Sequence, residues 1–208
     1  MSQNQDNINI MKEKAGTIYG FLTIIFIIGV IILIASMIAN VVMIFVSPEK
    51  FNAVQESFDW TINYTRPFGN PHLYPLHIPF RIIPPSLEFS AKYAAITYLF
   101  SQYLLVYSFV IYGSKQVLNI FNSAANDITP FIMDNVKSIK NIAYTIIIFS
   151  VIVDNLTCFL CTLFVTQTVS FSLGNFNILG ILLGTIIFFI ADIFKYGVFL
   201  QKEFDETL

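Results

Sequence analysis

Residues 18–46 read IYGFLTIIFIIGVIILIASMIANVVMIFV, a run with no charged side chain and no proline. A hydrocarbon layer about 30 Å thick is crossed by about 20 helical residues at 1.5 Å each, so this run is long enough for one crossing. It lacks the alternation of a barrel strand. In a layer without water the backbone must satisfy its own hydrogen bonds, and a single membrane-spanning helix is predicted here. A cleaved signal peptide is not expected. Lys12 and Lys14 precede the run, but it is about twice the length of a signal's apolar region, and residues 35–39 offer no clean small-x-small cleavage site.

The same absence of charge recurs further on. No charged residue falls between Lys92 and Lys115, and from Lys140 to Asp192 there is only Asp154. Dividing these stretches by the length of one crossing predicts further spans at about 93–112, 142–165 and 176–194, the last two joined by the polar residues 166–175. The fold class expected is therefore all-α, a polytopic membrane protein of four transmembrane helices in one domain.

Composition agrees. The 208 residues are 56% hydrophobic and 12% charged, with a mean hydropathy of +0.71, whereas a soluble surface needs roughly a quarter of its residues charged. This excludes an ordinary cytosolic enzyme, a disordered chain and a nucleic-acid binder reliant on a basic face. The lipid bilayer is the expected partner, with no direct nucleic-acid binding. Two cysteines exclude a disulfide-stapled scaffold.

Four spans put both termini on one side. Lys12, Lys14, Lys115, Lys137, Lys140, Lys195 and Lys202 share that side, against Lys50, Arg66, Arg81 and Lys92 on the other, so cytoplasmic termini are expected. The external loop would be residues 47–91. Its prolines, Pro67, Pro71, Pro75, Pro79, Pro84 and Pro85, argue against a continuous helix and for short extended pieces and turns. Residues 77–82 alternate weakly enough for an edge strand, and Trp60, Tyr64 and Tyr74 suit the outer headgroup level. His72 and His77 lie five apart across Pro75 with no local third ligand, so no metal and no cofactor is expected. Asn63-Tyr64-Thr65 has the glycosylation pattern, which matters only in a eukaryotic secretory pathway.

In the inner loop, residues 113–141, Thr129 and Pro130 have the chemistry of a helix N-cap and first position. Ile132, Val136, Ile139 and Ala143 follow at helical spacing, so an amphipathic helix is expected to run into the third span. Beyond the fourth span, residues 195–208 are expected to continue as a cytoplasmic helix, with Ile193, Gly197, Leu200, Phe204 and Leu208 on one stripe.

These two inner segments carry a resemblance. Phe121, Thr129-Pro130-Phe131, Asn135-Val136-Lys137-Ser138-Ile139, Ile193-Phe194-Lys195-Tyr196-Gly197 and the run from Leu200 through Gln201, Glu203 and Asp205 to Thr207-Leu208 resemble the bacterial domain of unknown function 2975 family. That family pairs an inner-loop Pro-Phe-x-x-x-Asn pattern with a terminal Leu-Gln-x-Glu-x-Asp-Leu-Thr segment. Glu206 stands here where the family usually has leucine. The resemblance implies the cytoplasmic membrane of a bacterium, four helices, no established activity and frequent encoding beside a small helix-turn-helix regulator.

Within the spans, Asp154 is the principal polar candidate. A carboxylate near a helix centre costs at least about 2.5 kcal/mol, so it is expected to be paired, protonated or water-facing. It shares a face with Ser150, Cys158, Cys161 and Val165. Two roles stay open: a proton- or cation-responsive site facing the interior, or a protonated carboxyl hydrogen-bonded to Gln102, Asn40 or Asn155 as interhelical glue. Cys158 and Cys161 are read as small packing residues. Gly180-x-x-x-Gly184, extended by Ala191, is expected to pack within one bundle, a homodimer staying open, and Gly16-x-x-x-Gly20 makes a fainter pair. Asp192 and Lys195 are expected to neutralise each other.

No phosphate loop, nucleophile elbow, HExxH or paired-carboxylate pattern is present, so no enzymatic activity is expected. The function expected is that of a small regulatory or sensory membrane protein docking a cytosolic helix-turn-helix regulator through Pro130, Phe131, Asn135, Leu200, Gln201, Glu203 and Asp205. The alternative is a transporter or channel component, including an immunity or resistance protein, coupled through Asp154.

Overall fold

In a computed structural model the described residues are 2–56, 59–64, 76–78, 90–126, 129–165 and 176–207. The element order is helix α1 (Ser2–Phe45), strands β1 (Phe51–Glu56), β2 (Asp59–Tyr64) and β3 (Leu76–Ile78), helix α2 (Ala91–Leu99), a π-helical segment (Phe100–Leu105), and helices α3 (Val106–Asn126), α4 (Met133–Phe164) and α5 (Ile178–Glu206). Four helical stretches, Asn9–Phe45, Ala91–Asn126, Met133–Phe164 and Ile178–Glu206, are long and apolar enough to cross a membrane.

Their apolar side chains point outward. None of the most apolar 18-residue window of α1 is buried, and Phe21, Ile24, Ile31, Ile38 and Val42 are all more than half exposed. A helix apolar on every side needs an apolar surrounding, either a core or a membrane.

Two helices run well past the predicted spans. Helix α1 begins at Ser2 rather than near residue 18, because no proline lies before Pro48 to stop it. Helix α3 continues to Asn126, so residues 113–126 of the predicted inner loop are helical. The signal was there, since Val117, Ile120, Phe121 and Ala124 recur at helical spacing. Between α2 and α3 the Val106 N–H bonds the Ser101 carbonyl five residues back, a register that no residue in the sequence announces.

The chain divides into two compact units. One comprises residues 33–106 and 152–176, and its core holds Phe51, Ile62, Ala94, Ala95 and Val165, with Met43, Val46 and Tyr98 packed against it. The three strands form an antiparallel sheet in the order β1-β2-β3. Phe51 faces Tyr64 across β1 and β2, with ring centroids 5.2 Å apart. Lys92 Nζ donates to the Ile44 carbonyl at 2.8 Å, satisfying one of the last carbonyls of α1. The predicted edge strand is β3, which starts one residue earlier, at Leu76, and pairs with Trp60, Thr61 and Ile62. Residues 79–82 lie outside the described residues, as do His72, Tyr74, Thr65 and the loop prolines.

The other unit comprises residues 1–32, 107–151 and 177–208, with α4 at its centre. Val136, Ile139 and Ala143 are buried, at the helical spacing read in the sequence. Against α3, Thr145 meets Gly113, and Phe149 meets Phe109 edge-on with centroids 5.7 Å apart. Against α5, the contacts form an antiparallel ladder of Ser150 with Gly180, Ile147 and Ala143 with Gly184, Tyr144 with Phe188, and Lys140 with Asp192. At its top the Asn177 N–H donates to the Ser150 carbonyl at 3.0 Å, while the Asn177 side chain caps α5 by accepting from Gly180 N–H.

Candidate functional site

The site is built where the stretch before α4 meets the end of α5. Thr129 Oγ1 accepts from the Phe131 N–H at 3.2 Å and donates to Gln201 Oε1 on α5 at 2.9 Å. The Pro130 carbonyl accepts from both the Ile132 N–H and Asn135 Nδ2, the latter at 2.9 Å. Asn135 is 1% exposed, so its amide is committed to this turn. These bonds shift the helix start. The predicted cap at Thr129 with Pro130 in first position is corrected, because the Pro130 carbonyl is spent closing a turn and α4 begins three residues later, at Met133.

Phe131 lies over Gly197, where a Cβ would stand 2.6 Å from its ring, and beside Phe194, with centroids 5.4 Å apart. Only a residue without a side chain lets the ring sit there. Pro130, Phe131, Asn135 and Gln201 are therefore drawn into an intramolecular clamp. Leu200, Glu203 and Asp205 face outward beside the exposed Phe199 and Phe204. The clamp was only partly readable. Its two ends stood out as motifs, but that Gly197 receives Phe131 was visible only as one glycine among bulky neighbours.

Lys140 overturns the expected pair between Asp192 and Lys195. Its Nζ lies 3.1 Å from Asp192 Oδ1, because the packing of α5 on α4 brings the lysine alongside, and Lys195 is left exposed. With these side chains one-third and nearly two-thirds exposed, the pair contributes on the order of 1 kcal/mol or less.

The polar candidates of the long apolar helices are not gathered together. Asp154 is exposed, although Ser150, Cys161 and Val165 on the same face are buried, and among the described residues none hydrogen-bonds to it. The expected bonds from Asp154 to Gln102, Asn40 or Asn155 are thus not made. Asn155 is the buried amide next to it. Gln102 is half-buried in the π-helical segment. Asn40 Nδ2 donates to the Ser36 carbonyl, leaving its buried Oδ1 without a partner among the described residues. Cys158 and Cys161 are free thiols. Gly180 and Gly184 pack on α4 within the chain, whereas nothing lies within 4 Å of a Cβ placed on Gly16 or Gly20.

A mostly helical chain with four long apolar helices, a small sheet and a clamped turn before α4 has the build of a multi-pass membrane protein. The family described as "Protein of unknown function (DUF2975)" matches residues 69–208, and the chain belongs to it. The matched segment contains both halves of the clamp. No curated protein and no solved structure matches the chain.

Proposed function

We propose that the protein is a non-catalytic regulatory or sensory component of a bacterial cytoplasmic membrane. It crosses the bilayer four times with both termini in the cytoplasm, and it docks a soluble helix-turn-helix regulator at its inner end. The observation that carries this reading is the clamp. Thr129 to Gln201 and Phe131 to Gly197 fix the tail of α5 on the rest of its unit. Leu200, Phe204, Glu203, Asp205 and Glu206 are left exposed on that held helix. An apolar and acidic surface suits a basic, DNA-binding partner, and rigid presentation lowers the ordering cost of association. Seven lysines on the side of the termini support the orientation.

Co-purification with a soluble helix-turn-helix regulator co-expressed with the chain tests the proposal. The full chain is expected to retain that protein, and a chain lacking residues 200–208 to lose it; equal recovery overturns docking at the tail. Asp154→Asn is expected to leave recovery unchanged. A solute flux that depends on Asp154 would favour a transport role instead, which with only four spans demands oligomerisation.

A further inference from the structure

Between α3 and α4 lies an open groove of about 400 Å³, within the size range of small-molecule sites. Phe109, Tyr112, Tyr144 and Ile148 make its walls, with Ser108 at one end and Asn141 at the other. The walls are held at a fixed separation. Gly113 approaches Thr145, and Asn141 Nδ2 donates to the buried Gln116 Oε1 at 3.3 Å, tying the helices together at the Asn141 end.

Each wall carries a lysine near that tie, Lys115 next to Gln116 on α3 and Lys137 one turn before Asn141 on α4. Lys115 follows Tyr112 by three residues on α3, and Lys137 precedes Asn141 by four on α4, spacings that keep both on the groove's face. Both are exposed. Lys137 touches Asp134 at 3.0 Å, but with side chains 69% and 82% exposed that ion pair yields readily to a competing anion. An open apolar slot with two exposed lysines near one end complements an amphiphile with an acidic head.

We propose that this groove holds an acyl chain of an anionic phospholipid whose phosphate meets Lys115 and Lys137. The inference rests on the membrane reading above, and places the lipid in the leaflet nearer the termini. A basic residue near an anionic headgroup contributes about 1 kcal/mol, or about a fivefold preference per lysine.

The test reconstitutes the full chain in mixed phosphatidylcholine and phosphatidylglycerol vesicles, washes them at alkaline pH, and counts lipids retained after gentle extraction by native mass spectrometry. One phosphatidylglycerol per chain is expected in preference to phosphatidylcholine. Lys115→Gln with Lys137→Gln is expected to lower its retention about 25-fold and leave phosphatidylcholine unchanged. Ile148→Trp, which fills the slot at an exposed position, is expected to lower retention of both lipids. Equal retention of the two lipids by the native chain, or retention unaffected by either variant, overturns the groove site and leaves the membrane reading standing. Release of the chain from the vesicles in the alkaline wash overturns both.

Discussion

Gly184→Leu is expected to lower the thermal midpoint of the detergent-solubilised protein by roughly 6 to 12 °C, because it pushes α5 off α4. A Cβ at this position would run into Ile147 and stand 3.1 Å from the Ala143 carbonyl. The contact with Ile147 is at Cγ1, so the isoleucine yields only by changing χ1, and a backbone carbonyl inside a helix does not yield. Overpacking costs typically about 1 to 3 kcal/mol, the upper end applying against a backbone carbonyl that cannot move, and a chain of this size loses about 2 to 4 °C per kcal/mol. Gly16→Leu is the matched control. Nothing lies within 4 Å of its Cβ position, so the midpoint should stay within about 2 °C of the parent, as for a surface change. A native-like midpoint for Gly184→Leu would show that the ladder between α4 and α5 does not hold the unit together.

Asn135→Ala is expected to loosen the turn before α4. The amide is 1% exposed and its Nδ2 donates to the Pro130 carbonyl at 2.9 Å, so alanine removes a buried hydrogen bond and leaves a small void. The loss is about 1 to 3 kcal/mol. Because Thr129 and Phe131 flank that carbonyl and both reach α5, the loss should appear locally as faster amide exchange at residues 132–136, by roughly 5- to 150-fold, rather than as global unfolding. Hydrogen exchange measured by mass spectrometry reads this directly. Unchanged protection would mean that the turn is held by the α5 contacts alone and that Asn135 contributes only its volume.

The helices were legible in the sequence because the absence of charge over 20 residues is a coarse signal that no local detail masks. Their ends were less so. The continuation of α3 past residue 112 was hidden by Lys115 and Gln116, whose polarity suits a loop as well as the flank of an amphipathic helix. The pairing of Asp192 was misread because Lys195 is close in sequence, while Lys140 becomes close only once Gly184 and Ala143 let the two helices meet.

Burial was the harder quantity. The helical face shared by Ser150, Asp154 and Cys161 follows from spacing alone, yet Asp154 is exposed where its neighbours on that face are covered, and spacing carries no information about what covers a face. The clamp lay between these cases. Pro130, Phe131, Asn135 and Gln201 stood out as a motif, but whether they turn toward a partner or toward each other depends on Gly197 and Thr129, whose contacts span 66 and 72 residues of sequence.

The central claim is that this chain threads a bilayer four times with both ends inside. Labelling single cysteines with a membrane-impermeant maleimide, on a background lacking Cys158 and Cys161, measures it at three exposed positions, Asn52, Asn122 and Lys202. The account predicts that Asn52→Cys reacts in intact cells, whereas Asn122→Cys and Lys202→Cys react only after the cells are opened. Labelling of Lys202→Cys in intact cells, or recovery of the chain in the soluble fraction without detergent, would contradict it.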